Sequence, residues 1–263
     1  MLTVQNVCQF LESFAPRRLA EDWDNVGLLL GDRDRAITNI MTCLTITPES
    51  VNEAIAREAQ LIVAHHPLPF RPLKRITADN VTGQMLLGLI ENRIAVYSPH
   101  TAFDSASGGI NQRLAAGLGI VDPQPLEPMD GDPDGLGAGR YGRLAEPVSV
   151  SEFVERTKTF LRLDGLQLVG DHARSVDRIA VACGSAGQFL QPAMRKGCDC
   201  LVTGETNFHT CLEAKANQVT LVLPGHFASE RFALEVLAST LADEFPAATI
   251  WASIEESDPL TWI

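Results

Sequence analysis

Apolar positions along the chain follow two rhythms. Leu61-Ile62-Val63-Ala64 is an unbroken apolar run, the pattern of a strand covered on both faces. Runs at 38–46, 93–97, 178–183, 200–203, 219–223 and 248–254 have the same character, and Trp23-Asp24-Asn25-Val26-Gly27-Leu28 leads into a further strand. Helical spacing lies between them. Thr3 is a plausible N-cap for a helix to Phe14, with Pro16 beyond its end. Pro48-Glu49-Ser50 places proline and acid in the first turn of a second helix, which runs to about Ala59. Further helices are predicted at 82–91, from Ser151-Glu152 to about Leu161, from Gly187 to about 196, and at 228–242. This alternation predicts an α/β fold with mainly parallel sheets.

Residues 128–142, rich in Gly, Pro and Asp, read as a linker or exposed loop. Two segments on either side resemble each other. With an offset of 140, Cys183 falls on Cys43, and Leu201-Val202-Thr203-Gly204-Glu205 falls on Leu61-Ile62-Val63-Ala64-His65. The intervening helices align at 139. Either the chain holds a duplication, or two βαβ units merely look alike. If the echo is real, Glu205 holds the strand-end position of His65.

The chain has 263 residues, 45% of them hydrophobic, and a net charge of −12. This is a globular composition with room for one or two domains. The acidic balance argues against nucleic-acid and membrane-surface partners. No apolar run reaches the ~18 residues of a membrane span. The first residues lack a basic and apolar leader pattern. Six scattered cysteines without a CxxC pattern suit reduced, buried thiols in a cytoplasmic protein, although Cys198-x-Cys200 also has metal-binding spacing.

The candidate chemistry sits at strand ends. His65-His66-Pro67 closes the apolar strand, and two pairs of one spacing follow, His100-x3-Asp104 and His226-x3-Glu230. Imidazole and carboxylate together are ligands for zinc, manganese or iron. Neighbours on a strand point to opposite faces, so His65 and His66 are expected to serve different ions if the chain bends there. On a helix, residues four apart share a face. Each pair alone also fits a capping or surface contact; their joint placement at strand–helix junctions carries the metal reading. For all to meet, the C-terminal segment must return to the N-terminal half. The expected organisation is therefore a discontinuous first lobe, 1–126 plus 219–263, with 127–218 inserted as a second α/β lobe. Arg71, Lys74 and Arg75 follow the histidines closely and would either hold an anionic substrate or be solvated loop charges.

Five motifs resemble those of the Nif3-like dinuclear metal-centre family, in order and over nearly the whole chain. They are Trp23-Asp24-Asn25-Val26-Gly27-Leu28, His65-His66-Pro67-Leu68-Pro69-Phe70, and His100-Thr101-Ala102-Phe103-Asp104 with Gly108-Gly109-Ile110-Asn111. The others are Thr203-Gly204-Glu205 with His209, and Gly225-His226-Phe227-Ala228-Ser229-Glu230. The resemblance implies a Nif3-like fold of two related α/β lobes, assembled as a toroidal homohexamer. It implies that His65, His66, Asp104, His226 and Glu230 bind two divalent metal ions, with iron, zinc, manganese and magnesium all compatible. His100, Glu205 and His209 would stand nearby as acid/base or supporting groups. Members are often described as GTP cyclohydrolase 1 type 2 homologues. The expected function is a metal-dependent hydrolase in which a metal-bridging hydroxide attacks a small anionic or nucleotide-like substrate. The alternatives are a non-catalytic metal-binding scaffold and a regulatory interaction protein.

Overall fold

A computed structural model describes residues 1–261. In chain order the elements begin with α1 (Val4–Phe14), β1 (Gly27–Leu30), β2 (Asn39–Cys43), α2 (Pro48–Ala56), β3 (Leu61–Ala64), α3 (Val81–Glu91) and β4 (Ala95–Ser98). Then come α4 (His100–Ser105), α5 (Ile110–Gly117), β5 (Ile120–Gln124), β6 (Glu127–Pro128), β7 (Gly137–Ala138), β8 (Arg140–Ser149), α6 (Val150–Leu161), β9 (Gln167–Val169) and β10 (Ser175–Ser185). The chain closes with α7 (Leu190–Arg195), β11 (Cys200–Glu205), α8 (Phe208–Ala216), β12 (Thr220–Leu223), α9 (His226–Glu244) and β13 (Thr249–Ala252).

Two compact units result. The first comprises Met1–Phe103 and Ala233–Pro259; the second contains Asp104–Phe232. The divisions fall inside α4 and α9. The sequence pattern had grouped 219–223 with the N-terminal strands. Instead β12 pairs with β11, as Leu201↔Leu221, in the second unit, and only β13 pairs with β2 in the first. The segment expected as a linker is also partly strand. Arg140, Tyr141 and Gly142 begin β8, because Tyr141 and Gly142 pair with Ala180 and Ile179 of β10.

In the first unit the sheet order is β1-β4-β3-β2-β13. All four residues of β3 are buried, as the unbroken apolar run requires. Thr3 and Thr47 close capping boxes on α1 and α2, with Asn6 and Ser50 as reciprocal partners. Val4, Val7, Cys8 and Leu11 place one buried stripe on α1. In the second unit the order is β5-β8-β10-β11-β12-β9. One face of this sheet packs on Phe153, Leu114 and Val150, and the other on Leu190, Ala193 and Ala214.

The two units share a topology. In each, an antiparallel strand precedes three parallel ones: β1-β4-β3-β2 and β9-β12-β11-β10. The register repeats as well. Ile40↔Leu61 in the first unit matches Ala180↔Leu201 in the second, at the 140-residue offset seen in the sequence. The following strands repeat at an offset of 126, with Leu61↔Ala95 matched by Leu201↔Leu221. Among the described residues, no helix is long and apolar enough to cross a membrane.

One buried carboxylate ties the last strand of the first unit to α2. Glu53 accepts from Ser253 Oγ at 2.6 Å, from Trp251 Nε1 at 2.9 Å, and from the backbone N–H groups of Ile254 and Glu255. Burial raises its pKa, but these donors outweigh burial and hold the carboxyl below its usual value. Its stabilisation is therefore fully present above the unfolded carboxylate range and is lost as pH falls through the depressed folded value. Glu53→Gln should lower unfolding free energy by about 2 kcal/mol at neutral pH. In urea titrations, the gap to wild type should narrow as pH falls below the unfolded carboxylate range.

Candidate metal centre

In the first unit, three imidazoles converge where β3 and β4 end. Main-chain N–H groups of His65 and His66 still bond to Cys43 and Leu44, at 3.0 and 2.8 Å, but β3 has stopped at Ala64. The chain bends there, and strand alternation no longer separates the two side chains. Their ring centroids lie 5.0 Å apart, with His100 at 5.1 Å from His65 and 5.6 Å from His66. All three offer a ring nitrogen within 4.8 Å of the others. Ser98 Oγ donates to the carbonyl of His65 at 2.6 Å, and His66 Nδ1 bonds to Thr45 Oγ1 at 2.6 Å.

His100 opens α4 with φ of 25°, a left-handed value that a branched side chain adopts only under constraint. The constraint is Asp24. Its side chain is fully enclosed and takes His100 Nδ1 at 2.7 Å, while its second oxygen takes the N–H and hydroxyl of Thr101. Burial pushes the Asp24 pKa up, but the bonds from His100 and Thr101 prevail and hold it at about 2. An ionised Asp24 accepts the Nδ1 proton, so the neutral ring of His100 carries its lone pair on Nε2.

The second unit builds a comparable set at the ends of β10, β11 and β12. His226 opens α9, two residues earlier than the sequence pattern suggested, directly after Gly225 at φ of 99°. Its Nδ1 lies 2.9 Å from Glu205 Oε1 at the end of β11, and its Nε2 lies 3.2 Å from the buried Glu230, one turn on. The hydrogen bond to Glu230 raises the His226 pKa most; burial opposes it, Glu205 adds to it, and the result is about 9.

The surrounding main chain is fitted to Glu230. Gly184, at φ of 67°, leaves no space for a Cβ, which would collide with Glu230 Oε1 and press on His226 Nε2. Ser229 Oγ accepts from Gly184 N–H at 3.0 Å and donates to the His226 carbonyl at 2.8 Å. Asp104 is held from two sides. Cys183 Sγ donates to its carboxylate at 3.2 Å, and Asn111 Nδ2 donates to its carbonyl at 3.1 Å. The Asn111 amide oxygen in turn accepts from Cys183 N–H at 2.8 Å. Burial, then the negative charges of Asp104 and Glu230, push the Cys183 thiol well up, so it stays protonated and donates. In this unit the His226 imidazole with the carboxylates of Glu205 and Glu230, around a glycine cradle, offers donors that suit a divalent metal ion.

The family described as Duf34/NIF3 (NGG1p interacting factor 3) matches residues 2–259. The chain belongs to this family. A GTP cyclohydrolase 1 type 2 homolog of Clostridium acetobutylicum is 33% identical, over 91% of this chain and 90% of that protein. NIF3-like protein 1 of Drosophila melanogaster is 35% identical, over 98% of this chain and 88% of its own length. The crystal structure of a Bacillus cereus protein related to NIF3 has a TM-score of 0.93 at 24% identity, covering 100% of this chain and 99% of that one.

The Duf34/NIF3 motifs are therefore where the geometry concentrates. The first unit gathers His65, His66 and His100; the second holds Asp104, Glu205, His226 and Glu230. His209 stands apart. It lies exposed on the first turn of α8, its ring against Phe208, with no hydrogen bond to His226, Glu205 or Glu230 among the described residues. Asp24, Asn111 and Ser229 lay inside the recognised motifs without a role until their bonds were seen. Cys183 and Gly184 carried no motif signal. A separate cleft of about 970 Å³, lined by Leu168, Arg174, Cys211, Leu212, Lys215 and Thr220 among others, includes none of these groups.

Gly184→Ala should move Glu230 off His226. A left-handed alanine costs about 1 kcal/mol or more before the collision is counted. Melting temperature should fall, and equilibrium dialysis should show weaker retention of zinc or manganese. Unchanged metal retention would contradict the fit of Gly184 to Glu230.

Proposed function

We propose that this chain is a dinuclear metal-binding protein and a metal-dependent hydrolase of a small anionic, nucleotide-like substrate. The two ions would be held by His65, His66, Asp104, His226 and Glu230, with iron, zinc, manganese or magnesium as the metal. The observation that carries this reading is the treatment of the imidazoles. His100 and His226 each give Nδ1 to a carboxylate, the arrangement that fixes the ring and makes the other nitrogen basic.

A bound divalent ion would supply Lewis acidity, lowering the pKa of water toward ~7 and polarising an acceptor oxygen. The chain's residues supply the rest. Asp24 keeps His100 in the tautomer whose Nε2 can take and return a proton, and Glu205 orients His226 in the same way. Cys183 holds the Asp104 carboxylate, and Asn111 holds the main-chain carbonyl of the same residue. His209, exposed on α8, would act as a second proton donor if the substrate extends that far. Cleavage of a purine ring and of a phosphoester are both compatible with these groups. The relatives described as GTP cyclohydrolase 1 type 2 homologs favour the first.

We further propose a toroidal homohexamer in the cytoplasm. Phe208 and Leu212, one turn apart on α8 and both exposed, suit a subunit contact. The six cysteines are all free thiols, as a reducing compartment allows.

The hydrolase reading is tested by turnover of GTP and p-nitrophenyl phosphate by metal-reconstituted protein. His65→Ala combined with Glu230→Ala should abolish the metal-dependent rate, a loss of at least ~100-fold if the ions supply the nucleophile. Equal rates in the two proteins would contradict it.

A further inference from the structure

We propose that Trp23 and Phe70 form a stacking platform for the planar heterocycle of an anionic substrate, with Arg71, Lys74 and Arg75 receiving its phosphate. The proposal rests on the functional reading above and specifies the substrate class.

The first observation is the exposure of two large aromatic rings beside the histidines. Trp23 is 63% exposed and Phe70 48% exposed. Their centroids lie 6.1 Å apart with planes at 60°, and each lies about as close to His100, at 6.0 and 6.1 Å, with planes at 78° and 86°. Three rings at steep mutual angles make a corner. A planar ring laid on one wall meets the edges of the others, the geometry aromatic pairs favour. One wall of that corner is the His100 imidazole, held at Nδ1 by Asp24.

The second observation is that the corner is built rather than left loose. Asn25 Nδ2 donates to the Pro69 carbonyl at 2.9 Å, joining the Trp23 segment to the residue before Phe70. Asp24 binds His100 and Thr101, and Glu21 N–H donates to Thr101 Oγ1 at 3.0 Å. The residues on both sides of Trp23 are thus anchored while the ring faces solvent. An exposed tryptophan gains nothing by hydration, so holding it out at a site of basic nitrogens suits a ligand.

The third observation is charge. The chain carries −12 overall, yet residues 61–78 contain no Asp or Glu and include Arg71, Lys74 and Arg75, all exposed. No ion pair to any of these three occurs among the described residues. Exposed cations that follow Phe70 directly in the chain, joined to an aromatic corner, would read a base and a phosphate together.

Binding can be scored without turnover, on full-length protein stripped of metal, so failure here is distinct from failure of the hydrolase reading. The measurement is calorimetric titration with GMP, with ribose 5-phosphate, guanosine and inorganic phosphate as comparisons. GMP should bind tighter than ribose 5-phosphate by about tenfold or more, the worth of one stacked base. Trp23→Ala with Phe70→Ala should erase that advantage, and Trp23→Phe should largely keep it. Lys74→Ala with Arg75→Ala should weaken binding of GMP but not of guanosine. Equal affinity for GMP and ribose 5-phosphate would overturn the proposal. So would unaltered GMP binding in the Trp23→Ala, Phe70→Ala protein, whether or not its native mass falls; a falling mass would assign the aromatic pair to a subunit contact instead.

Discussion

Two carboxylate–imidazole bonds constrain the rest of the site. Asp24 to His100 and Glu205 to His226 are each made at Nδ1, and each acts on the first residue of a helix that follows a strand. A histidine left to itself has two tautomers and a rotating ring. A carboxylate on Nδ1 removes both freedoms and raises the basicity of Nε2. Local strain is accepted to make the bond, since His100 sits at φ of 25°.

The repeated topology explains why the histidines come in a pair. His226 and Glu230 follow His100 and Asp104 by 126 residues, the offset that also relates β12 to β4. Both pairs therefore occupy one structural position, the first turn after the third strand of each repeated unit. The carboxylate that orients the histidine does not repeat. In the first unit it comes from the segment before β1. In the second it is Glu205, at the place where the first unit has His65. The same strand-end position thus carries an imidazole in one unit and a carboxylate in the other. A strand-end position tolerates this exchange because the main chain there is held by its neighbours, as His65 is by Cys43.

Much of this was legible from the residues. The run 61–64 read as a doubly covered strand, and Thr3 and Pro48-Glu49 marked the starts of α1 and α2. The donor residues were visible because imidazole and carboxylate recur at helical spacing. Other parts depend on long-range contacts that periodicity does not carry. Asp24 meets His100 across 76 residues. Arg140 lay in a stretch of Gly, Pro and Asp that reads as loop, yet it is 1% exposed and donates to the carbonyls of Gly137, Gly139, Ser105 and Ala106. No pattern announces a guanidinium satisfied by carbonyls, and its burial brings its pKa down to about 10. α8 escaped notice for the opposite reason. Only Ala214 of that helix is buried, so it has no apolar stripe to read. The boundary between the lobes shifted because β12 follows the edge of β11, not its distance from the C-terminus.

The central claim is that the strand-end histidines and carboxylates are a metal donor set. Metal analysis of the full-length protein, purified without added chelator and then dialysed against zinc or manganese, tests it directly. The account predicts two divalent ions per chain in wild type, with loss of bound metal on replacing His226 and Glu230 together by alanine. Wild-type protein that retains no divalent metal at micromolar free concentration, or a His226→Ala, Glu230→Ala protein that retains both ions, would contradict it.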